Sequence, residues 1–211
     1  MNRKVFVYVS QEGSTPDVPN TQLLDEYFTA VTGFFSNNCQ FRFAKKNLKI
    51  LLNGAFSKEF VIMDTIPELR ALHNGLAKLI GMTSHPKTKD VICCLPEAVD
   101  IFSDKGRLKQ ELYCGPLVEE VYTEWHYFPR YVSKKEFKDP SLVFLRFFEY
   151  KSPTEWETVL DDLLSAALSH ESVLANSDSI ENPFLVQSYL FKFLEATHLM
   201  RVRHAGQNSE G

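Results

Sequence analysis

The sequence predicts an α/β or α+β fold, in which a mixed sheet carries helices on both faces. Residues 142–150 are rich in β-branched and aromatic side chains and apolar on both alternating faces, which is typical of a strand covered on both sides. Residues 152–168 begin with a capping-box sequence and continue with an apolar stripe at helical spacing. Residues 5–10 form an apolar run that precedes a helical pattern at 23–35, which predicts an N-terminal β-α unit.

The elements that follow the first helix are predicted to form an antiparallel hairpin or meander. Cys39, Phe41 and Phe43 alternate with polar side chains, and a second apolar run covers residues 48–52. Asn53-Gly54 is a favoured type I′ turn sequence, so residues 60–63 are predicted to extend the pairing to a third strand.

Helix starts are marked by capping sequences along the chain. The helix over 23–35 is predicted to begin at Asn20 or Thr21. Residues 65–68 form a capping box whose helix is predicted to end at Gly81. The two later helices are predicted to start at Ser152-Pro153, with Glu155 completing the box, and at Asn182-Pro183.

The remaining segments complete a single predicted domain. We expect a short strand at 90–95, two helices within 105–126, a short strand at 127–132 and a charged connector at 133–140. The last helix is apolar on most sides, so it is buried within its own fold or against a partner. The domain is predicted to span residues 1–204, followed by a disordered tail at 205–211.

Composition indicates a soluble cytoplasmic protein. The net charge is −4 at pH 7, so the chain as a whole does not attract nucleic acid or anionic lipid. No signal-peptide pattern opens the sequence, and no apolar run approaches the roughly 20 residues that span a bilayer. We expect no cofactor, and the cysteines show no CxxC spacing: Cys39, Cys93, Cys94 and Cys114.

The carboxyl ends of the predicted strands are the first candidate site, because ligands bind there in parallel sheets. Those ends would gather the carboxylates Glu12, Asp64 and Glu97, which could hold Mg²⁺ or act as acid and base. Helix capping and solvent exposure explain the same residues and are the favoured interpretation.

Arg146 is the candidate ligand-binding residue, because it interrupts the most apolar predicted strand. A buried guanidinium needs a carboxylate partner or an anionic ligand, since an unpaired interior charge is very costly. At a sheet edge the same group would reach water. The sequence supports both alternatives equally.

Cys93, Cys94, Cys114 and His126 do not have the spacing of a zinc site. Adjacent residues in a strand point to opposite faces, so at most one of Cys93 and Cys94 could serve a given site. Burial as small apolar side chains is the favoured interpretation.

Two surface segments are candidate interfaces. Trp125, His126, Tyr127 and Arg130 lie where a helix is predicted to end, and Trp, Tyr and Arg are enriched in binding hot spots. A basic hairpin carries Arg42, Lys45, Lys46 and Lys49 beside phenylalanines, a combination that grips single-stranded nucleic acid. Edge lysines that block unwanted strand pairing explain the hairpin equally simply and are favoured.

Three functions follow from these candidates. The leading hypothesis is a non-catalytic interaction or regulatory protein, homo-oligomeric or part of a complex, which binds through the aromatic edge or the last helix. The first alternative is a small enzyme acting on a nucleotide or other phosphorylated metabolite, with Mg²⁺ as its cofactor and Arg146 as anion clamp. The second is a nucleic-acid-binding accessory protein that uses the basic hairpin.

Overall fold

A computed structural model describes residues 18–37, 41–57, 63–85, 129–169 and 179–208, and these residues form an all-helical fold. A 3-10 turn at Met63–Thr65 precedes the third helix. The helices are α1 (Val18–Asn37), α2 (Phe41–Ser57), α3 (Ile66–Ser84), α4 (Lys134–Lys138), α5 (Ser141–Tyr150), α6 (Pro153–Ser169) and α7 (Pro183–Asn208). The predicted mixed sheet is therefore wrong, because the described residues contain no strand.

The predicted central strand is helix α5. Val143, Phe144 and Phe147 are buried, whereas Leu145 and Arg146 between them are exposed, so the burial follows a helical period. Asp139 Oδ1 accepts a hydrogen bond from the Ser141 backbone N–H at 3.1 Å, which satisfies one of the donors at the helix start. A short apolar run fits a strand and a buried helix equally well, and aromatic content favoured the wrong one.

The predicted hairpin is helix α2. Its buried side chains recur every three or four residues: Phe41, Ala44, Leu48, Leu51, Leu52 and Ala55. Asn53 and Gly54 lie inside the helix, so the predicted type I′ turn is also wrong. The alternation around Phe41 was too short to outweigh the longer helical period.

The helices with strong start signals are confirmed. At α6, the Ser152 backbone N–H donates to Glu155 Oε2 at 2.7 Å and the Glu155 N–H donates to Ser152 Oγ at 3.3 Å. At α7, Asn182 Oδ1 accepts from the Leu185 N–H at 3.1 Å.

Other helix limits differ from their predictions. Helix α1 begins at Val18, before the predicted cap, and α3 continues through Gly81 to Ser84. Thr65 stands before α3 without a side-chain capping hydrogen bond. Helix α7 continues beyond residue 205 to Asn208.

The predicted connector at 133–140 contains helix α4, whose capping box joins Ser133 and Glu136. Residues 129–132 form bends without a strand. The predicted strands at 5–10 and 90–95, the helices within 105–126 and residues 60–62 of the third meander strand lie outside the described residues.

Helix α7 lies at the centre of the packing and contacts α1, α2, α4 and α5, while α6 packs against α2 and α3. Most of its side chains from Leu190 to Val202 are buried, so this part of the helix is covered within its own fold, whereas Phe184 and Leu185 in the first turn are exposed. Phe147 of α5 stacks on Trp156 of α6 at 4.1 Å and lies 4.6 Å from Phe193 of α7. Burial of each such ring contributes about 1.5–3 kcal/mol.

In the part of the chain that the structure describes, no helix combines the length and apolar character needed to cross a membrane.

Candidate functional site

A groove of about 730 Å³ runs between α1 and α3. The small and apolar residues at its base, which we call the floor, are mostly half-buried, and the charged residues along its two edges, which we call the rim, are exposed. Helix α1 contributes Gln22, Asp25, Glu26, Thr29, Ala30, Gly33 and Phe34, and α3 contributes Ala71, Gly75, Lys78, Leu79 and Met82. This volume falls within the roughly 300–1,000 Å³ of ordinary ligand sites.

Small residues open the groove. Ala30 and Gly33 on α1 and Ala71 and Gly75 on α3 line it, so both helices contribute little side-chain volume there. The ring of Phe34 fills the space where a Cβ on Gly75 would stand, so only glycine lets α3 accept the ring in this position. The groove therefore depends on glycine at residue 75 and on an aromatic ring at residue 34.

The two walls of the groove carry opposite charge. Asp25 and Glu26 are exposed on α1, where Gln22 Nε2 donates to Glu26 Oε1 at 3.0 Å, and Lys78 is exposed on α3. An occupant with a basic group on one side and an acidic group on the other would be matched electrostatically.

Glu195 of α7 is a fully buried carboxylate held by four donors. The backbone N–H of Arg130 donates to Oε1 at 2.8 Å, and those of Tyr131 and Val132 donate to Oε2 at 2.7 and 3.1 Å. Lys45 of α2 forms an ion pair with Oε1 at 2.6 Å. These contacts compensate the cost of burying the charge and fasten residues 130–132 to α7.

His198, one helical turn after Glu195, is also fully buried. Burial lowers the pKa of His198 well below its usual value, and the positive charges of Arg201 and Lys45 act in the same direction. Its ring stacks on Phe41 at 4.0 Å. The imidazole is therefore neutral at physiological pH.

A second buried carboxylate, Glu136, receives two cations. Arg146 Nη1 lies 2.9 Å from Oε1, and Lys192 Nζ lies 2.9 and 3.0 Å from the two oxygens. Burial raises the pKa of Glu136, but hydrogen bonds from Ser133 and Lys192 outweigh it and bring the pKa to about 2. The Arg146 guanidinium is thus both paired and largely exposed, which combines the two predicted alternatives.

His73 of α3 bridges to α6, with Nε2 at 2.8 Å from Asp161 Oδ1. Asn74 lies 3.2 Å from the other ring nitrogen. Because the Asp161 side chain is 71% exposed, this pair is a surface contact between helices.

The structure places few of the predicted site residues together. Asp64 is exposed in the 3-10 turn, while Glu12 and Glu97 lie outside the described residues. Trp125, His126 and Tyr127 and all four cysteines also lie outside them, and Arg130 is exposed. Among the described side chains, no group of three or more His, Cys, Asp or Glu could hold a metal ion.

The predicted basic patch is carried by a helix. Lys46 and Lys49 are exposed on α2, and Arg42 lies 5.6 Å from the centre of the Phe43 ring. Lys45 points inward to Glu195 and is removed from the patch by that ion pair.

The sequence interpretation missed the groove and Glu195. An acidic residue within an otherwise apolar helix is a signal for a buried ion pair, and Glu195 carries that signal. Small residues four apart, as at Ala71 and Gly75, are a weaker signal for a close helix approach. Neither signal depends on the sheet that was predicted.

Comparison with family models, curated proteins and solved structures finds no match to this chain.

Proposed function

We propose that this protein is a non-catalytic interaction protein whose groove between α1 and α3 binds an amphipathic helix of a partner protein. The groove carries the proposal, because it joins an apolar floor to charged walls along the length of two helices. An amphipathic helix lays its apolar face into such a groove, with anchors at i, i+3 or i+4, and i+7.

The rim charges define the partner. Asp25 and Glu26 favour Lys or Arg on the side that meets α1, and Lys78 favours a carboxylate on the side that meets α3. The small side chains of the floor favour Leu, Met or aromatic anchors, which fill the space that Gly33 and Ala71 leave.

The enzyme hypothesis stays a prediction, because Glu12 and Glu97 and the strands predicted before them lie outside the described residues. Its third carboxylate, Asp64, is exposed in the 3-10 turn. The nucleic-acid hypothesis stays a prediction that concerns Arg42, Lys46 and Lys49 on α2. Binding that does not weaken with added salt would contradict it.

Selection from a displayed library of helical peptides tests the groove. Peptides of about 15 residues, roughly 22 Å of helix, match the scale of the groove. We expect the selected peptides to share one apolar stripe and a basic edge. Their binding should perturb the methyl resonances of Ala30, Ala71 and Met82.

Two glycines provide a matched pair of variants. A Cβ at Gly33 or at Gly81 meets no atom within 4 Å, so a side chain can leave the backbone at either position without a clash at its first atom. Only Gly33 lines the groove. Gly33→Leu should abolish peptide binding and Gly81→Leu should preserve it. Equal binding by the two variants, or a library that yields no helical peptide, would refute the proposal.

A further inference from the structure

The seam between α1 and α7 contains an arginine with little compensation. Arg201 is half-buried, and its guanidinium carbon lies 5.0 Å from the centre of the Phe35 ring. Its Nη2 lies 3.4 Å from Nδ1 of His198. Because a guanidinium has donors only, Nδ1 accepts this hydrogen bond and the imidazole proton is on Nε2.

Glu195, the carboxylate of α7, is occupied elsewhere. Ion pairs within the described residues include those of Lys45 with Glu195, His73 with Asp161, and Glu136 with Arg146 and Lys192. Both oxygens of Glu195 are used by Lys45 and by backbone donors. In this part of the chain no carboxylate forms an ion pair with Arg201.

The formal charges of the described residues around Arg201 also leave its guanidinium without a counterion. Lys45 and Arg201 contribute two positive charges to this end of α7 and Glu195 contributes one negative charge, while His198 is neutral. Among these described groups one positive charge is left on a partly desolvated guanidinium, and such a charge is costly unless an anion completes it.

We propose that Arg201 is the centre of a binding site for a single oxyanion group, a phosphate or a carboxylate, at the seam of α1 and α7. The planar guanidinium binds either group through two parallel N–H···O hydrogen bonds. Phe35 covers one side of the guanidinium and His198 fixes one edge of it, so the fork is held in place before the anion arrives. This site is independent of the groove, which uses the side of α1 that faces α3.

Thermal unfolding in phosphate, acetate and chloride at equal ionic strength tests the site. If phosphate binds the folded chain alone, each tenfold increase above its dissociation constant should raise the Tm by about 3–6 °C. Acetate as the stronger stabiliser would assign the site to a carboxylate of a ligand. If the Tm is the same in phosphate, acetate and chloride, the proposal is wrong.

The Arg201→Met variant distinguishes an anion-binding site at Arg201 from an arginine that the chain itself neutralises. Methionine keeps the apolar contact with Phe35, but it removes both the charge and the donor to His198 Nδ1. The measurement on this variant is therefore its response to phosphate, and the rise in its Tm should fall to the general stabilisation that an excluded salt gives any folded chain. Arg201→Lys should retain a weaker response, and Arg70→Met, at an exposed position on α3, should respond like the wild type.

One outcome of these measurements would contradict the anion site directly. If the Tm of the wild type rises with phosphate no more than that of Arg201→Met, Arg201 does not bind the anion and the proposal is wrong. The Arg201 Nε–H resonance of the wild type gives a second measurement, which should shift on phosphate addition even if a variant fails to fold.

Discussion

Replacing Gly75 with alanine is the sharpest test of the packing between α1 and α3. The three glycines described in these helices differ in their surroundings. A Cβ at Gly33 or Gly81 meets no atom within 4 Å, whereas a Cβ at Gly75 would overlap two atoms of the Phe34 ring. A glycine-to-alanine substitution is therefore expected to raise the free energy of unfolding at two of these positions and to lower it at the third.

Two contributions set the size of the change in the free energy of unfolding. Alanine in place of glycine within a helix stabilises by up to about 1 kcal/mol. At Gly33 and Gly81 helix propensity is the whole effect, so the free energy of unfolding of both alanine variants should rise by about 0.5–1 kcal/mol. At Gly75 the overlap adds an overpacking cost of about 1–3 kcal/mol, because the rigid ring of Phe34 must leave its position. The expected net change is a loss of up to about 2 kcal/mol.

Urea unfolding of the three single variants measures these changes, with Gly33→Ala and Gly81→Ala as controls for helix propensity. A fourth protein, Phe34→Ala combined with Gly75→Ala, completes a double-mutant cycle with Phe34→Ala. Removal of the ring should turn the loss at residue 75 into a gain. If Gly75→Ala alone is as stabilising as the two controls, the ring is free to move and the close approach of α1 and α3 does not shape the groove.

Three further predictions concern the buried polar groups. Glu195→Gln should lower the free energy of unfolding by about 3 kcal/mol or more, because it removes the charge from a buried ion pair; a loss below about 1 kcal/mol in urea unfolding would contradict this. The pKa of Glu136 is about 2 in the folded chain against 4.5 as its ordinary value, so its contribution is complete above pH 4.5 and is lost as the pH falls towards 2. After allowance for screening of its solvent-exposed partners, that contribution is about 1–2 kcal/mol, and Glu136→Gln should flatten the measured decline in stability between pH 5 and pH 3. Trp156→Phe should cost about 1–3 kcal/mol in thermal unfolding, because Nε1 of Trp156 donates to the Phe147 carbonyl at 3.0 Å; an unchanged Tm would show that this hydrogen bond is not needed.

Helix caps were predictable from the sequence, whereas the choice between strand and helix for the short apolar runs at 48–52 and 142–150 was not. The capping residues Ser152 and Asn182 act on neighbours within four residues, so their pattern is complete in the sequence itself. Residues 142–150 bury one helical face against Phe193, which is distant in the chain, and against Trp156 of the next helix. A nine-residue apolar run does not contain that information, because both strand and helix would bury it.

The groove was not predictable for a related reason. Gly33 and Gly81 have the same open space around their Cβ positions and are both inside helices, yet only Gly33 lies in the groove. The difference arises from how α1 crosses α3, and this crossing depends on the fit of the Phe34 ring over Gly75. Side-chain volume at two distant positions decides it, and no periodicity in either helix reports it.

The two buried carboxylates have a shared consequence for the predicted interaction edge. Glu195 fixes the backbone at residues 130–132, and Glu136, three residues after Ser133, ties α4 to α7 through Lys192. The segment that ends the predicted edge is therefore fastened to the central helix by charge-assisted hydrogen bonds, while the Arg130 side chain remains exposed. Because the backbone at Arg130 is already ordered, binding at this edge would cost mainly the rotamer entropy of the arginine side chain, so the edge stays a second, weaker candidate for partner contact beside the groove.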